Sequence, residues 1–367
     1  MTDIQIVVLT LLLAEAVLLS VFAWLPVMGG ERAFFGVRVE ARTLSGEGRR
    51  TLRRYWLTLA AGFVLICAPG FYASARFGQP ALAVAACLAS TVAAFLIYVA
   101  FARKVRPLAV EGAATRFASG LRVRRLADYT HPWLEAMLLL LVGAAFVLLV
   151  HYYPRLPERM PVHWGPSGVP DAWAGKSFAT VFFLPALGVY LYVFFLVLKR
   201  DITHAKMTLP AAHTEEFLRG KESYLSANLR LVDWTRTSVA LLFFDISLLM
   251  LTTTVGELSR YQSLVNVALW VIVAVMIAGI AYFIRLMKRI NDHLRRVAGE
   301  WYVQRPADER HWRHGGLTYY NPEDPALVVE KLVGYGYTLN MAHRGVRARA
   351  LLLSGVLLFV LWAVLSL

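Results

Sequence analysis

Two carboxylates stand where a membrane-soluble chain tolerates them least. Glu15 and Asp245 each interrupt a long apolar run. An ionised carboxylate at the centre of a spanning helix costs roughly 2.5 to 3.5 kcal/mol, so such groups face a bundle interior or a wet cavity, paired or protonated. The chemistry open to them is an intramembrane ion or proton site. A protonated, hydrogen-bonded helix-packing contact accounts for them equally well. A second set lies between Tyr153 and Lys176, where His163, Trp164, Asp171, Trp173 and Lys176 supply ring surface, a titratable base, an acid and a cation. His151, Glu158 and Glu257 flank it. The chain contains no HExxH, no paired CxxC and no GxSxG, so this spacing marks neither a metal site nor a hydrolytic nucleophile. No cofactor and no metal ligand is assigned.

The segment that must position the second set reads YPRLPERMPVHWGPSGVPDAWAGK and holds Pro154, Pro157, Pro161, Pro166 and Pro170 with Gly165, Gly168 and Gly175. Each proline lacks an N–H and fixes φ, which predicts a series of rigid turns in place of helix or sheet interior. Rigid turns hold side chains in place, as a recognition surface requires. A proline-stiffened cap with Trp164 and Trp173 at the headgroup level is the plainer reading.

Composition places these residues in a membrane. Of 367 residues 58% are hydrophobic and only 17% charged, and the mean hydropathy of +0.55 is too high for an ordinary soluble or disordered chain. Eight apolar runs are long enough to cross about 30 Å of hydrocarbon. They lie near Ile4–Val27, Tyr55–Ala75, Ala81–Ala102, Trp133–Tyr152, Ser177–Leu198, Thr237–Val255, Ser263–Ile284 and Ala350–Ser366. Between them, residues 28–54, 103–132, 199–236 and 285–349 hold 7, 7, 7 and 12 Lys or Arg, leaving Arg76, Arg155, Arg159, Lys176 and Arg260 on the other face. Loops rich in Lys and Arg stay in the cytoplasm, so both termini are expected outside and residues 153–176 form the outer loop. The net charge of +14 is therefore an orientation signal, and nucleic acid is not an expected partner. Arg32, Arg38, Arg49, Arg50, Arg53 and Arg54 suit anionic headgroups of the lipid bilayer.

No basic segment precedes the first run and Glu15 interrupts it, so a cleaved signal peptide is not expected. Cys67 and Cys87, the only cysteines, fall inside the second and third runs. That excludes a disulfide scaffold and predicts buried apolar thiols. The organisation read from the chain is a seven-span bundle over residues 1–284 with outer loop 153–176, a cytoplasmic stalk helix and small module over 285–349, and an eighth span over 350–367. Met287, Ile290, Leu294, Val297 and Trp301 recur at helical spacing, which predicts the amphipathic stalk. The stretch from Asp308 to Asn340 has turn chemistry at Asn321-Pro322 and Asp324-Pro325, which predicts short strands and one short helix. It is too small to bury a core alone and is expected to dock on the stalk or the bundle. The fold class is an all-α membrane protein with a small α/β module between the last two spans.

The outer segment PVHWGPSGVPDAWAGK, with a Leu-Pro pair upstream, resembles the loop of SdpI-type immunity proteins and their polytopic membrane relatives. The resemblance rests on Pro161, His163, Trp164, Gly168, Pro170, Asp171, Trp173 and Lys176, with Gly165 where that family commonly has Asn. GERAFFGVRV, and the cytoplasmic YYNPEDP followed by GYGYTLN, look like companion segments of such relatives, the latter resembling a small domain of unknown function. The resemblance implies a bacterial cytoplasmic-membrane protein conferring immunity to a secreted, membrane-active peptide toxin, sometimes with a cytoplasmic regulator as partner.

The expected function is accordingly binding or sensing of a peptide toxin or envelope ligand at the outer face. Trp164 and Trp173 would give apolar contact, while His163, Asp171 and Lys176 orient a polar group. A proton- or cation-coupled transporter of a small amphipathic or lipid-like substrate, using Glu15 and Asp245 in one cavity, is the alternative. A third is an outward-facing membrane enzyme using His163 and Asp171 with metal or water.

Overall fold

The computed structural model describes residues 12, 15–16, 19–27, 33–35, 37–39, 44–77, 79–108, 124–207, 215–299, 309–332, 334–348, 350–351 and 354–355. Six of its helices are long and apolar enough to span a membrane. They are α1 (Arg49–Phe77), α2 (Pro80–Val105), α3 (Pro132–Tyr152), α4 (Phe178–Thr203), α5 (Glu215–Thr254) and α6 (Gln262–Ala298). Each carries one of the apolar runs read from the sequence. Most of Ile4–Val27 and Ala350–Ser366, both termini and Trp301 lie outside the described residues.

Helix starts follow local chemistry. Pro80 and Pro132 open α2 and α3, where a missing N–H leaves nothing unsatisfied. Ser177 caps α4, its hydroxyl accepting from the Thr180 amide at 3.0 Å. The sixth apolar run, read as beginning at Thr237, is the second half of α5. At 40 residues and about 1.5 Å per residue, α5 is near 60 Å long, about twice the hydrocarbon thickness. Its first half falls in residues 199–236, read from the sequence as a cytoplasmic loop holding a helical stretch, because charges at Arg219, Lys221, Arg230, Asp233 and Arg236 depress the local hydropathy.

By contacts the chain divides into two compact units. One comprises Met1–Ser119, Lys206–His213 and Arg295–Leu365. Its core gathers Phe34, Phe35, Tyr55, Leu59, Tyr98, Val99 and Ala102. Ala33–Phe34 and Val37–Arg38 pair as a short hairpin, β1–β2, with Phe35 at φ +49 and fully buried. This places the Phe35 ring edge-on to Tyr55 at 5.1 Å. Cys67 and Cys87 are free and pack in one apolar cluster with Phe71 and Ala83.

The small module is two further antiparallel hairpins, β5 (Trp312–Arg313) with β6 (Thr318–Tyr319) and β7 (Val328–Glu330) with β8 (Tyr337–Leu339). It contacts α2 within the same unit. Tyr98 donates to the Gly315 carbonyl at 2.8 Å, and Leu317 and Leu332 pack on the aromatic core. Gly315 has φ +68, and a Cβ there would meet Ala102 Cβ at 2.6 Å, so glycine is required twice over. Asn340 holds the module together, accepting from the Asn321 amide and donating to the Asn321 carbonyl at 2.8 Å.

The other unit comprises Gly120–Ala205, Thr214–Leu294 and Ser366–Leu367, and contains α3, α4, α5 and most of α6. Gly279 of α6 lies against the Trp234 indole of α5 with no room for a Cβ. Beyond that contact the stalk predicted from Met287, Ile290 and Leu294 is the unbroken end of α6. Gly220 of α5 receives Leu294, so the stalk lies along the long extension of α5.

Candidate functional site

Residues 153–176 do not form the series of turns that their prolines suggest. They fold as an antiparallel hairpin, β3 (Arg159–Trp164) and β4 (Pro170–Gly175). Sequence reasoning failed here for a physical reason: in a two-stranded sheet every strand has a free edge, so Pro161 can point its N-substituted side outward, and Pro170 begins its strand. Pro166 sits in the connecting turn, where Gly165 N–H donates to the Val169 carbonyl at 2.9 Å and Gly168 takes φ +77.

One face of the hairpin is anchored. Met160 is fully buried among Leu149, Leu156, Val181, Met250 and Leu251, a burial that contributes roughly 1.5 to 3 kcal/mol. Trp164 follows it inward, its indole N–H donating to Thr253 Oγ1 at 3.2 Å. The turn is clasped from α6, where Gln262 donates to the Gly168 carbonyl at 3.1 Å and Trp270 to the Pro166 carbonyl at 3.2 Å. At the base Lys176 donates to the Leu156 carbonyl at 2.8 Å and lies 5.0 Å from the Tyr153 ring centroid.

The other face is open. Along β4 exposure alternates, with Asp171 and Trp173 outward, as the two-residue period of a strand requires. The pairing register shifts on both sides of His163. Such bulges re-aim a side chain, and here the imidazole meets the neighbouring carboxylate, His163 Nδ1 to Asp171 Oδ1 at 2.5 Å. Both side chains remain about half exposed, 52% and 43%. With the imidazole neutral, Nδ1–H donates to Asp171, and Asp171 Oδ2 and His163 Nε2 are left as acceptors. That arrangement can bind a donor group or orient a general base.

Of the five residues predicted as one binding set, the hairpin thus brings His163, Asp171 and Trp173 to one open face. It gives Trp164 and Lys176 partners within the fold. Glu257 pairs with Arg155 at 3.4 Å on an exposed surface, where such contacts contribute little. His151 packs edge-on to Tyr152 at 4.8 Å. Among the described residues no three His, Cys, Asp or Glu are grouped to share a metal ion.

The intramembrane pair lies one in each unit. Glu15 and Asp245 are each 5% exposed, and among the described residues Glu15 Oε1 and Asp245 Oδ2 have no hydrogen-bond partner. A buried polar atom of this kind carries a desolvation cost that nothing described offsets.

A charged cluster that sequence reasoning missed crosses α3, α4 and α5. Arg236 donates to Glu135 with both terminal nitrogens, Nη1 to Oε2 at 2.8 Å, and through Nε to Asp233 at 2.9 Å. Lys199 grips both Asp233 oxygens, at 2.9 and 2.8 Å, and Tyr192 donates to Glu135 at 3.0 Å. Lys199 and Arg236 are 0% and 2% exposed. The signal available was the Asp233/Arg236 spacing of three on an otherwise helical pattern, which puts both on one face.

Two families match parts of the chain. A domain of unknown function (DUF1648) matches residues 140–189, the end of α3, the whole hairpin and the start of α4. A family of unknown function (DUF5808) matches residues 322–347, which include β7, β8 and Asn340. Both matches are short. No curated protein and no solved structure matches the chain. The strand-paired part of the DUF1648 match is the segment carrying His163 and Asp171, and the second match falls on the module that resembled a small domain of unknown function.

Proposed function

We propose that this is an eight-span protein of the bacterial cytoplasmic membrane, with both termini and the 153–176 hairpin outside, that binds or senses a ligand at the outer face. The ligand class is a membrane-active peptide toxin or another envelope ligand, and the role is immunity of the SdpI type. A cytoplasmic regulator on the small module fits the same reading. One observation carries it: an exposed His163–Asp171 pair beside Trp173, on a hairpin whose opposite face is fixed by Met160 and Trp164. A rigid platform with half-exposed polar groups and an indole favours binding, because little side-chain entropy is lost on contact.

The test is survival under peptide-toxin challenge of cells lacking the gene, restored with wild type, His163→Ala or Asp171→Ala. Protection by wild type that is lost in both variants is expected. Equal survival of all strains would overturn immunity.

A second reading, proton- or cation-coupled transport of a small amphipathic or lipid-like substrate, is favoured by Glu15 Oε1 and Asp245 Oδ2, buried with no hydrogen-bond partner among the described residues. Its test is proton flux in vesicles loaded with a pH indicator. Glu15→Gln and Asp245→Asn should each abolish flux, and unchanged flux would end the reading.

A further inference from the structure

The open face of the hairpin carries more than its acid and base. Residues opposite one another in an antiparallel pair share a face, and Arg159 is registered opposite Gly175, two positions along β4 from Trp173. Arg159 is exposed and has no ion-pair partner among the described residues. The face therefore runs from a free guanidinium at the base, through the 44% exposed Trp173 ring, to the His163–Asp171 pair near the turn.

This is a dipolar strip. Its positive end offers the forked donors that match a phosphate. With the imidazole neutral, its negative end offers only acceptors, Asp171 Oδ2 and His163 Nε2, which match an N–H cation. The indole between them attracts a cation on its face and covers the carbons of a short linker. Asp171 and Gly175 are four residues apart, about 13 Å at ~3.3 Å per residue. A ligand centred on Trp173 requires each charged side chain to reach inward by about one residue pair. The other cations close by are engaged elsewhere, Lys176 on Leu156 and Tyr153 and Arg155 on Glu257, while the exposed Glu158 stands next to Arg159 in the chain. The hairpin also joins the ends of α3 and α4, two helices long and apolar enough to span a membrane, so on this reading a lipid headgroup is within its reach.

We infer that the strip formed by Arg159, Trp173 and the His163–Asp171 pair binds a zwitterionic amino-phosphate, the phosphoethanolamine headgroup. Phosphocholine has the same charges but no N–H to give the acceptors, so the site discriminates against it. The inference rests on the reading of this hairpin as the binding element and names what it binds.

The test uses the full chain in a maltoside detergent, ¹⁵N-labelled at tryptophan, with the Trp173 indole signal identified through Trp173→Phe. Soluble glycerophosphoethanolamine is titrated against glycerophosphocholine, glycerophosphoglycerol and ethanolamine. The first should move the Trp173 signal saturably. The other three should need at least about tenfold more, the loss expected when one charge-assisted bond is missing. Asp171→Asn and Arg159→Gln should each weaken the first by a similar factor while leaving the unliganded spectrum folded. Equal response to all four compounds, or none to any, overturns the headgroup assignment. A synthetic Leu/Lys amphipathic peptide is titrated in parallel. A Trp173 shift with the peptide alone removes the headgroup and keeps the binding hairpin, whereas silence to peptide and headgroup alike overturns both.

Discussion

Arg236 of α5 holds Glu135 of α3 in a two-point grip, with Nη1 to Oε2 at 2.8 Å and a second bond from Nη2 to Oε1. The same guanidinium reaches back three residues to Asp233, which Lys199 of α4 also holds. Three helices are thereby fixed in one rotation and register. Removing one member leaves buried charge unpaired, which costs about 3 to 5 kcal/mol. Arg236→Ala should therefore lower the thermal unfolding midpoint of the detergent-solubilised protein sharply. The double change Glu135→Leu with Arg236→Met should recover most of the loss, because the stranded carboxylate goes with its partner.

Gly279 admits the Trp234 indole of α5 against the backbone of α6. Gly279→Val should overpack this crossing and destabilise by about 1 to 3 kcal/mol. Adding Trp234→Ala should relieve the clash, and a double-mutant cycle on unfolding midpoints reads the coupling.

The hairpin's attachment to its platform divides into a weak and a strong point. Trp164→Phe removes the bond to Thr253 and should cost about 1 kcal/mol, seen as faster amide exchange across Arg159–Trp164. Gly168→Ala should loosen the turn further, since it combines φ +77 with a Cβ only 2.7 Å from Asn266 Cγ.

In the small module, burial pushes the Asp324 carboxyl up, but the Ala326 amide, Lys206 and Tyr319 outweigh it and hold the group below the ordinary carboxylate range. A carboxyl depressed on folding stabilises fully above its unfolded pKa and loses that contribution as pH falls through its folded value. The module should loosen as pH drops below the ordinary aspartate range, read from amide exchange at Val328–Glu330. Asp324→Asn should shrink that pH dependence and weaken the module already at neutral pH. Nearby in chemistry though not in sequence, burial and then Glu222 raise the Tyr129 hydroxyl to about 12. It stays a donor to Glu222 throughout the accessible pH range.

Hydropathy made the helices legible, because an apolar run of spanning length needs no tertiary partner to be recognised. The stalk was legible for the same local reason, in Met287, Ile290 and Leu294. The charged cluster was not. Glu135 reads as a helix-end residue and Lys199 and Arg236 as loop cations until α3, α4 and α5 are brought side by side. The hairpin was obscured by treating Pro161 as a breaker, which it is in a sheet interior but not on an edge. His163 and Asp171 were visible as residue types, but their contact depends on a bulge that no spacing rule announces.

The knot around Arg236 has an electrical corollary. Lys199 and Arg236 carry two positive charges, Glu135 and Asp233 two negative ones, and the four are linked in one chain, Lys199 to Asp233 to Arg236 to Glu135. Work against a transmembrane voltage scales with the net charge displaced, about 2.3 kcal/mol per elementary charge per 100 mV. A neutral knot that shifts as one body performs almost none, so these four buried charges by themselves give the voltage no grip on the helices that hold them.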